Sequence, residues 1–141
     1  MTNRYYDKAI EGAQTTVPMN LLAGAIAVQL VDLGAYTPNF ATDEFLSDIP
    51  LSARLGAPAL LTGKSLASGV FDAADIVDHD LGGALASSGE ALVLVEMTGD
   101  PATSRLKCFI DTDANGAISV AAGKTLMSVA WSNGSNKICK L

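Results

Sequence analysis

The run Asp111-Thr112-Asp113-Ala114-Asn115-Gly116 carries the sharpest chemical pattern in this chain. Side-chain oxygens at alternate positions, followed by glycine, are the opening half of a calcium loop of the D-x-D-x-N-G type. There the oxygens converge on the ion and the glycine makes the turn. The closing half is missing, because Ala122 stands where a bidentate glutamate is needed. The flanks also read as strands, whereas such loops sit between helices. Asn115-Gly116 is equally good chemistry for a polar turn. The segment Asp111 to Ser119 is therefore read first as a strand-joining turn and second as a weak calcium site, and no metal ligand is assigned.

Other reactive side chains are sparse. His79 is the one histidine, set between Asp78 and Asp80, and it is followed by the loop signal Leu81-Gly82-Gly83. With no G-x-S-x-G elbow or reactive-cysteine signature beside it, it reads as a surface histidine in an acidic loop. Carboxylates are plentiful enough for a glycosidase pair. A sugar cleft also needs aromatic walls, however, and the chain has one Trp, three Tyr and four Phe. Gly63-Lys64-Ser65 has the ending of a phosphate-binding loop, but Pro58 occupies the position of the required first glycine. Cys108 and Cys139 are too few and too far apart for a zinc module. Two reduced thiols in a cytoplasmic product is the plain reading. The alternative is a disulfide between neighbouring C-terminal strands or between subunits. The residues thus indicate neither an enzyme nor a cofactor.

Composition narrows the classes further. The 141 residues suit one domain, 1–141, and they carry a net charge of −6 with nine scattered Lys and Arg. Nucleic-acid binding depends on clustered positive charge that releases counterions, so no nucleic-acid partner is expected. The longest apolar stretch, Leu21 to Val31, includes Gly24 and Gln29 and stops at Asp32. It is well short of the roughly 20 residues of a spanning helix, so no membrane partner is expected. Its position and the acidic residues before it do not fit a signal peptide, which gives intracellular synthesis as the expectation. A hydrophobic share of 49% exceeds what so small a domain readily hides, which favours association with other subunits.

The elements that must position these residues are mostly short strands. Tyr5, Tyr6, Ala9, Ile10 and Ala13 share one side of an N-terminal helix limited by Gly12 and Pro18. Ala25 to Val31 reads as a buried strand. Thr42 to Pro50 reads as a second short helix, with Thr42 as cap, acids in its first turn and Pro50 as its end. Strands follow at Ala57–Thr62, Leu66–Phe71, Asp75–Val77, Ala91–Met97, Arg105–Asp111, Ala117–Val120, Thr125–Trp131 and Asn136–Leu141, with a hairpin signal at Asn133-Gly134. The expected fold is mainly β: a small β-sandwich or barrel-like domain with one or two short helices near the N-terminus.

Several segments taken in order resemble a family of small structural proteins of tailed bacteriophages. They are Tyr6-Asp7-Lys8-Ala9-Ile10-Glu11-Gly12, Ala27-Val28-Gln29-Leu30-Val31-Asp32, the long run from Tyr36 to Pro50, Leu61-Thr62-Gly63-Lys64, and Gly69-Val70-Phe71-Asp72-Ala73. Ala102 to Leu106, Phe109 to Thr112 and Trp131 to Ile138 complete the match. The more apolar Gln14 to Ala23, the glycine-bearing Val77 to Ser88 and the two cysteines depart from it. The resemblance implies a virion component made in the host cytoplasm, with no catalytic residues to transfer. The leading expectation is a capsid decoration, or cement, protein that binds the major capsid protein and other copies of itself, as a trimer. Contacts are expected from Tyr5, Tyr6 and Ile10 on the first helix and from Phe40, Phe45 and Leu46 on the second. A tail, baseplate or fibre-base component, and a ligand- or calcium-dependent binding module, are the alternatives.

Overall fold

The structure, a computed structural model, describes residues 3–132 and 138–140. Its centre is an antiparallel sheet of five strands in the order β1-β8-β7-β2-β3: β1 (Arg4–Tyr5), β2 (Ile26–Val31), β3 (Arg54–Leu60), β7 (Ala91–Glu96) and β8 (Arg105–Ile110). β2, β7 and β8 are the most deeply buried strands, and every residue of β2 is buried. Register places Val28, Leu94 and Cys108 on one face and Gln29, Val93 and Phe109 on the other. Both faces therefore need a cover.

The Phe109 face is covered by irregular chain. Phe40 meets the Phe109 ring edge-on at 5.3 Å and lies 5.4 Å from the Tyr6 ring, the tilted and edge-to-face geometry that aromatic rings prefer. The helix α1 (Asp7–Ala13) follows directly, turning Ala9 inward, with Asp7 in the first turn where a negative charge suits the helix dipole. The opposite face is covered by two small sheets. One, in the order β12-β5-β4, joins β4 (Ser65–Ala67), β5 (Val70–Asp72) and β12 (Cys139–Lys140), and the other pairs β6 (Ile76–Asp80) with β11 (Leu126–Val129). A last hairpin links β9 (Thr112–Asp113) to β10 (Gly116–Ala117). The mainly β expectation holds. The central sheet has two edges, β1 and β3, so it is not a closed barrel.

Three sequence expectations change. Tyr5 is not helical: it pairs with Cys108 as part of β1, and α1 begins only at Asp7. The second helix is absent. Glu44 to Leu46 is instead held alongside β8, with Leu106 N–H bonded to Glu44 O at 2.9 Å and Leu46 N–H to Ser104 O at 2.8 Å. The outer edge of β8 needs partners for its backbone groups, and β1 reaches only Cys108 and Phe109. The chain near Phe45 supplies the rest, and an extended chain cannot also be helical. Only two single 3-10 turns remain, Leu46–Asp48 and Leu51–Ala53. Thr42 does not cap them, and the Asp48 carboxylate accepts from the N–H groups of Glu44 and Phe45 instead. Finally, the single strand expected over Leu66–Phe71 is a hairpin. Ser68 and Gly69 hold φ of 52° and 76°, as a two-residue turn with both central residues left-handed requires.

Gln29 shows why β3 has its shape. Pro58 has no N–H to give the ladder, and the pairing of β2 with β3 shifts between Val28 and Leu30. That shift strands carbonyls in the interior. The Gln29 amide, 3% exposed, donates to Leu55 O at 3.0 Å and Gly56 O at 3.3 Å. Replacing Gln29 with leucine should lower stability by about 1–3 kcal/mol, the usual cost of leaving buried acceptors unmatched. Urea unfolding of Gln29→Leu against wild type measures it, and an unchanged midpoint would remove this role.

Candidate functional site

The Asp111–Ser119 segment folds as the turn. Ala114 and Asn115 connect β9 to β10, with Asp113 Oδ1 accepting the Asn115 N–H at 2.7 Å and Gly116 at φ 113°. Its base is clamped by Asn3, whose Oδ1 accepts from Asp111 N–H at 2.9 Å and Thr112 N–H at 3.2 Å while its Nδ2 donates to Thr112 O at 3.0 Å. Asp113 is thus used within the turn. Among the described residues no group of three or more His, Cys, Asp or Glu is placed to hold a metal ion. Beneath this hairpin lies a cavity of about 650 Å³, walled by Leu92, Ile110, Met127, Trp131 and Ile138 with Thr112 and Ser128 at its polar side. Ser132 and Ile138, which flank residues 133–137, also border it.

His79 lies on strand β6 rather than in a loop, and its Nε2 is 2.8 Å from Ala57 O. It ties β6 to β3. Cys108 is buried on β8, and Cys139 lies on β12 of a different sheet. The side chain of Cys139 falls outside the described set, as do the Asn133-Gly134 hairpin and any pairing of the two thiols. Lys64 Nζ donates to the Gly24 carbonyl, so this lysine anchors a loop.

The six expected contact residues separate into two groups. Tyr6 and Leu46 are buried, 0% and 3% exposed, so they serve the chain's own core. Tyr5, Ile10, Phe40 and Phe45 are half-buried. Phe40 lies under the Arg4 guanidinium at 4.4 Å and Phe45 under that of Arg105 at 4.9 Å. Such cation–π contacts favour these rings staying where they are. The two N-terminal segments thus present little apolar surface to a partner.

The apolar surface is elsewhere. Leu51, Val77 and Leu60 are 76%, 75% and 61% exposed, and Leu22, Leu66 and Leu126 are also open. Leu60, Leu66, Val77 and Leu126 stand on β3, β4, β6 and β11, strands at the rim of the structure. Sequence reading missed them because in a short strand an aliphatic residue facing solvent looks the same as one facing the core. The only signal was the high apolar share itself.

Two polar clusters lie inside. Tyr6 and Tyr36 hydroxyls are 3.1 Å apart, and Tyr36 donates to Asp43 Oδ2 at 2.7 Å. Burial raises both phenols above their ordinary pKa of 10.0, and for Tyr36 the neighbouring Tyr6 and Asp43 push the same way. The second cluster joins Lys107, Glu96 and Asn20 at the start of β8 and the end of β7.

No protein-family model and no curated protein matches this chain. No helix among the described residues is long and apolar enough to cross a membrane.

The tyrosine pair has a pH consequence. The folded protein holds two protons that the unfolded chain releases near pH 10, so stability is intact below that value and falls as pH rises beyond it. Absorbance titration should find Tyr6 and Tyr36 un-ionised at about pH 11 for as long as the fold persists. Tyrosinate from these two before unfolding, assigned with Tyr6→Phe and Tyr36→Phe, would contradict it.

Proposed function

We propose that this chain is a bacteriophage virion structural protein, a capsid decoration protein that binds the outer surface of the major capsid protein lattice and associates with copies of itself. The observation that carries the reading is the set of open aliphatic side chains on the rim strands: Leu60, Leu66, Val77 and Leu126, with Leu51 just before β3. Apolar surface of this kind on a small acidic domain is characteristic of a protein that completes its burial by assembly. A fully buried aliphatic side chain contributes roughly 1.5–3 kcal/mol. Several such contacts, repeated over a lattice, give tight coverage even where each copy binds weakly. The resemblance of several ordered segments to small structural proteins of tailed phages supports the choice of particle. The contact surface moves from the two N-terminal segments, whose rings are engaged within the chain, to the rim strands.

Immunogold labelling of intact particles and co-sedimentation with undecorated heads test the proposal together. Label across the head, with binding of the purified protein to heads, is the expected result. Val77→Asp and Leu126→Asp should fold normally, since both side chains already face water, yet bind heads at least about tenfold more weakly. Label confined to the tail would replace the proposal with a tail or baseplate role. Undiminished binding by both aspartate variants would remove the rim strands as the contact.

A further inference from the structure

Lys107 occupies the bulge of β8, where pairing with β7 shifts between Leu94 and Val95. A bulge re-aims the side chain of its extra residue. Here that side chain ends inside the protein, 2% exposed, with Nζ 3.4 Å from Glu96 Oε1. The other oxygen of the same carboxylate, Oε2, accepts a hydrogen bond from Asn20 Nδ2 at 2.5 Å. One carboxylate therefore bridges an amine and a primary amide. The loop carrying the amide is closely fitted: Asn20 holds a left-handed φ of 54°, and a Cβ at Gly24 would lie 2.6 Å from Glu96 Oε2. Left-handed backbone at a non-glycine residue persists where the surroundings enforce it.

Exchange of an amide between two nitrogens needs a neutral amine, an amide held beside it, and a group that carries a proton from the attacking nitrogen to the leaving one. Burial disfavours the ammonium form and holds Lys107 below the ordinary lysine value, against the opposing pull of Glu96. Glu96 touches both nitrogens and is itself only 20% exposed. Lys64, the neighbouring amine, is directed to the Gly24 carbonyl.

We propose that Lys107 and Asn20 join in an intramolecular isopeptide bond, with Glu96 as the proton carrier between them. Lys107 passes a proton to Glu96, and the neutral Nζ attacks Asn20 Cγ, forming the C–N bond. Glu96 returns that proton to Nδ2, the Cγ–Nδ2 bond breaks, and the departing ammonia takes a second proton from Nζ through Glu96 and leaves as ammonium. Of the three ammonium protons, one stays on the new amide and two leave with the former amide nitrogen as ammonium, so Glu96 ends as the carboxylate it began. No oxidant or other reactant is consumed. The product ties the loop before β2 covalently to β8, and it is independent of the particle to which the protein belongs.

Mass spectrometry of the full chain under denaturing conditions tests this. The expected result is that most wild-type chains weigh one ammonia less than the sequence requires, and that proteolysis releases a branched peptide joining the segments around Asn20 and Lys107. Glu96→Gln and Asn20→Ala, each checked for fold by circular dichroism, should have full mass and no branched peptide. Two variants are used because loss of the ion pair in Glu96→Gln is the more damaging to folding. Full mass in the wild type overturns the proposal. So does ammonia loss traced to succinimide at Asn115 or Asn133 without a branched peptide, or a branch formed through Lys64.

Discussion

The burial of β2, β7 and β8 on both faces is the constraint from which the rest of the structure follows. A sheet with one wet face can stand alone against a single layer, but β2 has no residue exposed on either side. One cover is built from the aromatic cluster of Tyr6, Phe40 and Phe109, the other from the small sheets that bring Phe71, Met127 and Ile138 inward. Those small sheets are too short to be stable alone. They persist because their inward residues complete the burial of the central strands, and their outward residues are left as the open aliphatic rim.

The same constraint governs the polar groups. Backbone amides and carbonyls at the edge of β8 are satisfied by two segments far apart in sequence, β1 and Glu44 to Leu46. At the break between β2 and β3 a side chain, Gln29, takes the place of the missing ladder bonds. Tyr36 serves Tyr6 and Asp43 together, and Glu96 serves Lys107 and Asn20 together. Each of these polar groups thus has a partner on a different element, and these partners fix how the covering segments sit on the sheet. The proposed bond between Lys107 and Asn20 would make one of these attachments permanent.

Much of this was legible in the residues. The apolar, β-branched runs that became β2 and β7 read as buried strands, and the turn from Asp113 to Gly116 followed from local chemistry. The second helix misled because Thr42, its acids and Pro50 satisfy local helix rules, while the unmet backbone groups of β8 that overrode them are some 60 residues away. The surroundings of the expected contact residues were hidden for a related reason. Aromatic side chains near the N-terminus look available in sequence, but the rings of Tyr6, Phe40 and Phe109 meet one another in tilted and edge-to-face contacts, with Arg4 over Phe40.

By itself, the sequence determined that this is a mainly β chain with an acidic surface, an apolar excess, and no run long enough to span a bilayer as a helix. These properties are set by composition and by patterns a few residues long. Only the tertiary structure decided which aliphatic residues lie open, which edge recruits Glu44 to Leu46, and that Lys107, Glu96 and Asn20 share one carboxylate. Each of those depends on strand register and on a bulge, which bring together residues as many as 87 positions apart, from Asn20 to Lys107, and no local propensity records such a meeting.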